Sequence, residues 1–404
     1  MRWLGLTLLA ACSFKGPLAS DARGPVTDAD VTVEGIDPTV DASTCAAADV
    51  FAGRYHTCAR RADGQVWCWG GNSQGEAGSA PASTPSTCPA FPNSCVRTPQ
   101  VVAMPAASTL ALGTSDTCAL AGPDTYCWGA DDGEELGDNG AGDAYAARKI
   151  VPRAGSSAIA IGDQHVCSIS IANHDVECSG HNSYGEVGDN TAQPRGAPTH
   201  VMLTGAPSAI GVGYNHGCAI VGAATWCWGD NSQLELAPNA SAIPYLFPIM
   251  VPNLSMATAV AGGDAHTCAV LADHSARCWG AGGYGQLGDG TFPAKAPQLV
   301  TVDLAGIAAI RPGNTHTCAL TTAGAVYCWG SGFLPTASAA AGHPGMIALP
   351  AKAVSLAAGG DHDCAALVDG SVWCWGSNDH GQLGDGTTTT PTGRTTAVKT
   401  KLCM

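Results

Sequence analysis

The stretch Gly263-Asp264-Ala265-His266-Thr267-Cys268-Ala269-Val270-Leu271-Ala272-Asp273-His274-Ser275-Ala276-Arg277-Cys278-Trp279-Gly280 decides the reading of this chain, because its skeleton recurs along the sequence. That skeleton is a glycine, then His-x-Cys, a short turn-forming stretch, then Cys-Trp-Gly. Its leading cysteines are Cys58, Cys118, Cys167, Cys218, Cys268, Cys318 and Cys364, spaced by 46 to 51 residues apart from one 60-residue step that carries an insertion. A repeat of this length is one supersecondary unit that cannot bury its own apolar face. The units must therefore stack into an array.

Each unit reads as strands. A short apolar run such as Val50-Phe51-Ala52 ends in a glycine five residues before the leading cysteine, at Gly53, Gly113, Gly162, Gly213, Gly263, Gly313 and Gly359. A glycine held at one place in every repeat calls for positive φ or a close backbone approach. Thr57-Cys58-Ala59-Arg60, the turn Ala62-Asp63-Gly64 and Val66-Trp67-Cys68-Trp69 then read as a hairpin. The two cysteines of each hairpin lie 9 to 11 residues apart and face each other across the strands, within disulfide reach. The expected pairs are Cys58–Cys68, Cys118–Cys127, Cys167–Cys178, Cys218–Cys227, Cys268–Cys278, Cys318–Cys328 and Cys364–Cys374. Cys88 and Cys95 staple the insertion. Cys45 and Cys403 flank the repeats, and a bond between them closes a ring.

Composition agrees with many short strands and tight turns: Gly 52, Pro 25 and only 13% charged residues. A net charge of -15 with no basic stripe excludes nucleic acid as a partner. Nineteen cysteines suit an oxidising compartment. Arg2, the apolar run Trp3 to Ala10, and Leu9-Ala10-Ala11-Cys12 resemble a bacterial lipobox, whose cysteine becomes the lipidated N-terminus. The alternative is an ordinary secretory signal cut after Cys12, for which Pro17-Leu18-Ala19 is a poor site. Residues 1–12 are thus read as a signal, 13–44 as a flexible acidic linker and 45–403 as the repeat ring. The expected location is the bacterial cell envelope, at the outer membrane or cell surface, with the lipid as the only membrane contact.

Gly-x-x-His-Thr-Cys, Asp-Gly-x-Val-x-Cys-Trp-Gly and Gly-Gln-Leu-Gly-Asp-Gly, fullest at His266 to Gly290 and His362 to Gly386, resemble the repeat of the regulator of chromosome condensation family. The resemblance spans about Asp49 to Thr400. It implies an all-β, seven-bladed propeller with four strands per blade. In the first repeat only Cys45-Ala46-Ala47-Ala48-Asp49 precedes Val50, whereas Thr395-Thr396-Ala397-Val398-Lys399 follows the last repeat. The expectation is that this C-terminal strand completes the first blade and closes the ring. Three repeats depart from the pattern: Ser179 replaces the tryptophan, Asp116 the histidine, and Phe333-Leu334-Pro335-Thr336 the Gly-Gln-Leu-Gly segment.

The histidines His56, His165, His216, His266, His316 and His362 precede cysteines that already have hairpin partners, so no metal is expected and a structural hydrogen bond between strands is. Trp69, Trp128, Trp228, Trp279, Trp329 and Trp375 read as packing residues, joined by Trp67, Trp226 and Trp373 on the same strand face. Asp289-Gly290-Thr291 and Asp385-Gly386-Thr387 read as turns rather than calcium loops. No cofactor and no catalytic motif emerges. What varies lies after Trp-Gly, where Phe91, Tyr145, Tyr184, Tyr245, Phe247, Tyr284 and Phe333 form the candidate binding face of a monomeric, non-enzymatic scaffold for a protein or other extracellular macromolecule. Two other classes stay open: an enzyme acting on an envelope or extracellular polysaccharide, and, from the family's nuclear role, nucleotide exchange on a small GTPase. The resemblance also covers a secreted propeller-type inhibitor, which implies protein binding outside the nucleus. Cys12→Ala is expected to move the protein from the detergent phase to the aqueous phase of a membrane extract; retention in membranes after a carbonate wash refutes the lipid anchor.

Overall fold

The computed structural model describes residues 46–81, 88, 94–140, 142–332 and 342–402. Cys12, Cys45, Phe91, Phe333 and Cys403 lie outside them, and with them the expected lipid site and the Cys45–Cys403 clasp. Within the described residues the chain forms seven four-stranded antiparallel sheets. Blade 1 consists of β1 (Ala47–Ala52), β2 (His56–Arg61), β3 (Val66–Gly71) and β4 (Cys95–Val101), counted outward from the ring axis. Blades 2 to 7 occupy residues 109–149, 156–200, 207–255, 257–301, 307–346 and 353–399 in the same order. Neighbouring innermost strands pack on one another, and that of blade 7 packs on β1. The blades therefore form a closed ring.

Closure differs from the expected strand exchange. The C-terminal strand Thr389–Lys399 pairs with Val372–Asn378 of its own blade, Cys374 facing Val398, and not with blade 1. Thr98-Pro99-Gln100-Val101, which lies between the first two hairpins, forms the outer strand of blade 1, with Gln100 opposite Cys68. The linker from one blade's outer strand to the next blade's innermost strand is short, so the sequence allows either assignment. The chain returning from the loop after Trp-Gly settles it, because it runs antiparallel beside β3.

All seven hairpins place their cysteines directly opposite each other, and all seven pairs are disulfides with Cα atoms 4.0–4.1 Å apart. An eighth bond, Cys88–Cys95, staples the insertion. The six tryptophans after the second cysteine are fully buried, whereas Trp67, Trp226 and Trp373 are half-buried towards the rim.

The repeated glycines prove to be close approaches, not positive-φ positions. A Cβ on Gly53 would collide with the Gly113 carbonyl oxygen, one on Gly113 with Gly162, and so on around the ring until Gly359 meets Gly53. The ring of glycines lets seven backbones converge on the axis.

Four of the histidines make the expected bond between strands, and the strands they join belong to adjacent blades. Nε2 of His56 lies 2.7 Å from Thr117 Oγ1, His216 2.8 Å from Thr267, His266 2.8 Å from Thr317, and His362 2.7 Å from Thr57. Each threonine hydroxyl donates to a turn carbonyl of the preceding blade: Thr57 to Gln382, Thr117 to Glu76, Thr267 to Glu235 and Thr317 to Gln286. With its one hydrogen engaged there, the hydroxyl accepts from the imidazole, which fixes the neutral Nε2–H form. The indole N–H of Trp69, Trp128 and Trp329 donates to the same carbonyl as its blade's threonine. Two seams lack this bond. Blade 2 has Asp116 and its neighbour offers Val166; blade 3 has His165 and its neighbour offers Gly217. Between blades 6 and 7 the pair is His316 and Asp363, 2.8 Å apart.

Blade 3 also lacks its tryptophan, and Arg153 takes the space. At Gly188, Gly288 and Gly384 an added Cβ would meet the ring of Trp228, Trp329 and Trp69; at Gly137 it would meet Arg153 and Ser179. Arg153 enters from the 3-10 turn Val151–Arg153 and is fully buried. Its guanidinium donates to Val166 O at 2.9 Å, Ser168 Oγ at 3.0 Å and Ser179 Oγ. Ser179 in turn donates to the Glu135 carbonyl, the bond the tryptophan makes elsewhere.

Two predictions follow from these seams. Arg153→Ala takes the donor from four buried acceptors and leaves a cavity, and should cost about 3–5 kcal/mol in urea unfolding; a loss below about 1 kcal/mol contradicts its role as a filler. Burial holds His266 near a pKa of about 3, below its ordinary value. The unfolded chain therefore takes up that proton first, and the stability contributed is complete above about pH 6.5 and lost as pH falls towards 3. The stability gap between wild type and His266→Gln should narrow by about 2 kcal/mol between pH 7 and pH 4.5. A gap independent of pH would show that the imidazole is not buried neutral.

Candidate functional site

β1 and its equivalents run towards the glycine ring, so the loops between third and outer strands open on the same face as the ring. One surface therefore carries both the mouth of the central channel and the loops after Trp-Gly.

Those loops are built on a repeated turn. In blade 1 Asn72 Oδ1 accepts the Ala77 N–H at 3.0 Å, and the Glu76 carboxylate accepts the N–H groups of Ser73 and Gln74 at 3.1 and 2.8 Å. Asn182, Asn231 and Asn378 repeat the first bond, and Asp131 supplies it in blade 2. Burial pushes the Glu135 and Glu235 carboxyls up to about 7, values that in isolation would mark general acids. Gln286 and Gln382 hold the same place in blades 5 and 7 and make the same backbone bonds at 3.0 and 2.8 Å. A neutral amide does the job, so the glutamates are turn-builders.

The expected aromatics divide. Tyr184 and Tyr284 stand at one equivalent turn position in blades 3 and 5, both exposed, their backbone N–H groups held by Glu186 and Gln286. Phe292, absent from the expected set, is exposed beside Tyr284, and its ring lies where a side chain on Gly285 would go. Tyr145 is exposed in part but lies against Gly75 of blade 1. Tyr245 is half-buried, and its neighbour Leu246 covers Gly185 of blade 3. Both serve first as seals between blades. Phe247 is exposed on the outer strand of blade 4. The set is spread around the ring and does not converge on one cluster.

Sequence reading missed the channel mouth. The residue after the ring glycine lines it in six blades: Arg54, Thr114, Tyr214, Asp264, Asn314 and Gly360. Below the mouth the channel is walled by residues such as Phe51, Leu110, Ile161 and Leu356, together with Arg311, which donates to the Leu356 carbonyl at 3.2 Å. The guanidinium carbon of Arg54 lies 5.1 Å from the Tyr214 ring centroid and 5.6 Å from that of Tyr55, and its Nε donates to the Tyr55 hydroxyl at 2.9 Å. Burial and the nearby negative charge of Asp163 raise Tyr214 to about 12. Burial also lifts the Asp264 carboxyl; Arg54 opposes this, while Asp163 and Asp361 reinforce it. The available signal was variability: one position changes freely in every repeat while its neighbours do not.

Among the described residues, one cluster brings potential metal donors together: His316, Cys318 and Asp363. The Cys318 sulfur is bonded to Cys328 and the His316 Nε2 is taken by Asp363, so the cluster is a packed seam.

Comparison with known proteins agrees with this architecture. Residues 47–76, 257–286, 306–333 and 353–382 match the Regulator of chromosome condensation (RCC1) repeat, and residues 369–396 match a second description of it. Human WBSCR16 superposes with a TM-score of 0.70 at 18% identity, over 83% of this chain and 94% of that one. Prp20p from Saccharomyces cerevisiae superposes with a TM-score of 0.71 at 19% identity, over 88% of each chain. The yeast protein bound to Kap60 gives 0.71 at 18% identity, over 98% of this chain and 91% of that one. At such identities the likeness establishes the shared fold. Taken with the hairpins, the glycine ring and the bonded seams, it identifies the chain as a seven-bladed β-propeller carrying regulator of chromosome condensation repeats.

Proposed function

We propose that this chain is an exported, lipid-tethered scaffold that binds a protein through the face carrying the channel mouth and the loops after Trp-Gly. The observation that carries the reading is the exposure of Tyr184, Tyr284 and Phe292 on turns whose other polar groups are bonded internally. Rigidly mounted, exposed aromatics are the usual anchors of protein interfaces. Eight disulfides suit an oxidising compartment. No helix among the described residues is long and apolar enough to cross a membrane. Prp20p, a propeller of the same build, has been described with its binding to Gsp1p and histones, which supports a protein partner here.

The full chain, immobilised and exposed to envelope extract, should retain a partner that the double variant Tyr184→Ala, Tyr284→Ala binds at least tenfold more weakly, with thermal unfolding unchanged within about 1 °C. Equal retention by the variant, with turnover of an envelope polysaccharide by the wild type, replaces the scaffold reading with an enzyme.

A further inference from the structure

The channel mouth at the centre of this face has a chemistry of its own. Arg54 leaves blade 1 across Gly360 of blade 7, where an added Cβ would lie 2.9 Å from the Arg54 Cγ. It ends over the ring of Tyr214, which belongs to blade 4 on the opposite side of the axis. Glycine at 360 leaves the path clear. The guanidinium thus spans the mouth between two phenol rings, with Asp264 beside it. Asp163 lies near enough to Tyr214 and Asp264 to act on both electrostatically, and Asp361, exposed on blade 7, acts on Asp264 likewise. One cation, Arg54, thus stands near three carboxylates.

We propose that the mouth is a recognition site for a cationic side chain, an arginine or lysine of the partner protein, and that Arg54 occupies part of it as an internal stand-in while the site is free. The aromatic faces suit a planar, weakly hydrated guanidinium, which gains from stacking and from carboxylates together. Among the described residues these three carboxylates do not gather within 4.8 Å of one another. Burial, Asp163 and Asp361 all lift the Asp264 carboxyl, with Arg54 pulling the other way, so the existing cation leaves the acids under-compensated. Assigning the cation to a protein rests on the loop face being a protein-binding surface; the cage itself does not.

Agmatine, a guanidinium on a short amine chain, tests the cage without a partner. Calorimetric titration of the full chain at low salt should show one saturable site. Asp264→Asn should weaken it at least fivefold, and Asp361→Asn, a fully surface change that keeps the fold, at least twofold. Arg54→Ala should strengthen binding at least threefold by vacating the cage. Lys295→Ala, which removes the same charge from an exposed position on the outer strand of blade 5, should leave it unchanged. The proposal is overturned by absence of saturable binding, or by equal effects of Arg54→Ala and Lys295→Ala, which would reduce the effect to mean surface charge. Agmatine binding without any loss of partner in the Tyr184, Tyr284 variant would keep the cage and reject the loop face, and the converse result would do the reverse.

Discussion

One backbone carbonyl governs most seams of this ring. In blades 1 to 5 and 7 the carbonyl of the buried Glu or Gln in the loop turn accepts an indole or hydroxyl of the following blade, as Glu76 does from Trp128 and Thr117 and Gln286 from Trp329 and Thr317. Each such bond contributes only about 1 kcal/mol net. Its larger effect is geometric, because an unmet buried donor on tryptophan or threonine would cost more than the bond itself yields. The turn must therefore hold its carbonyl at one height, which is why Asn72 and Glu76 are committed to the turn backbone. The blade spacing set this way brings the seven glycines together on the axis.

Most of the fold was legible because it is written repeatedly. Cysteine spacing gave the hairpin register, and residues such as Trp228 and His266 announced buried roles by recurring at one place. Two features escaped for physical reasons. The outer strand of blade 1 pairs over a long loop, and a strand lying between two repeats carries no mark of which it joins. Arg153 was invisible because it acts from a linker, filling a volume that Ser179 leaves empty in another part of the sequence. The site was less legible still. Aromatics such as Tyr145 and Tyr245 look alike in sequence whether they seal a seam or face solvent, and only packing separates them.

The scaffold and the mouth divide the residue positions between them. At the ring glycine nothing else fits, while the next position takes side chains as different as Arg54, Thr114 and Tyr214, with Gly360 the exception because Arg54 crosses it. Arg54, Asp163, Tyr214 and Asp264 come from four blades, so their constellation exists only when the ring is complete. Electrostatic character at the centre of the face can change one residue at a time without touching a seam.

The occupant of the blade 3 seam has a consequence for how such rings can be rearranged. Blades 5 and 6 offer each other, and most neighbours, the same donor and acceptor set. Blade 3 offers Val166 to an aspartate, presents His165 to a glycine, and borrows its packing from an arginine in the preceding linker. The repeats look like interchangeable modules, yet this blade meets its neighbours through contacts that the His–Thr seams do not use, so the seams of one ring are not all equivalent.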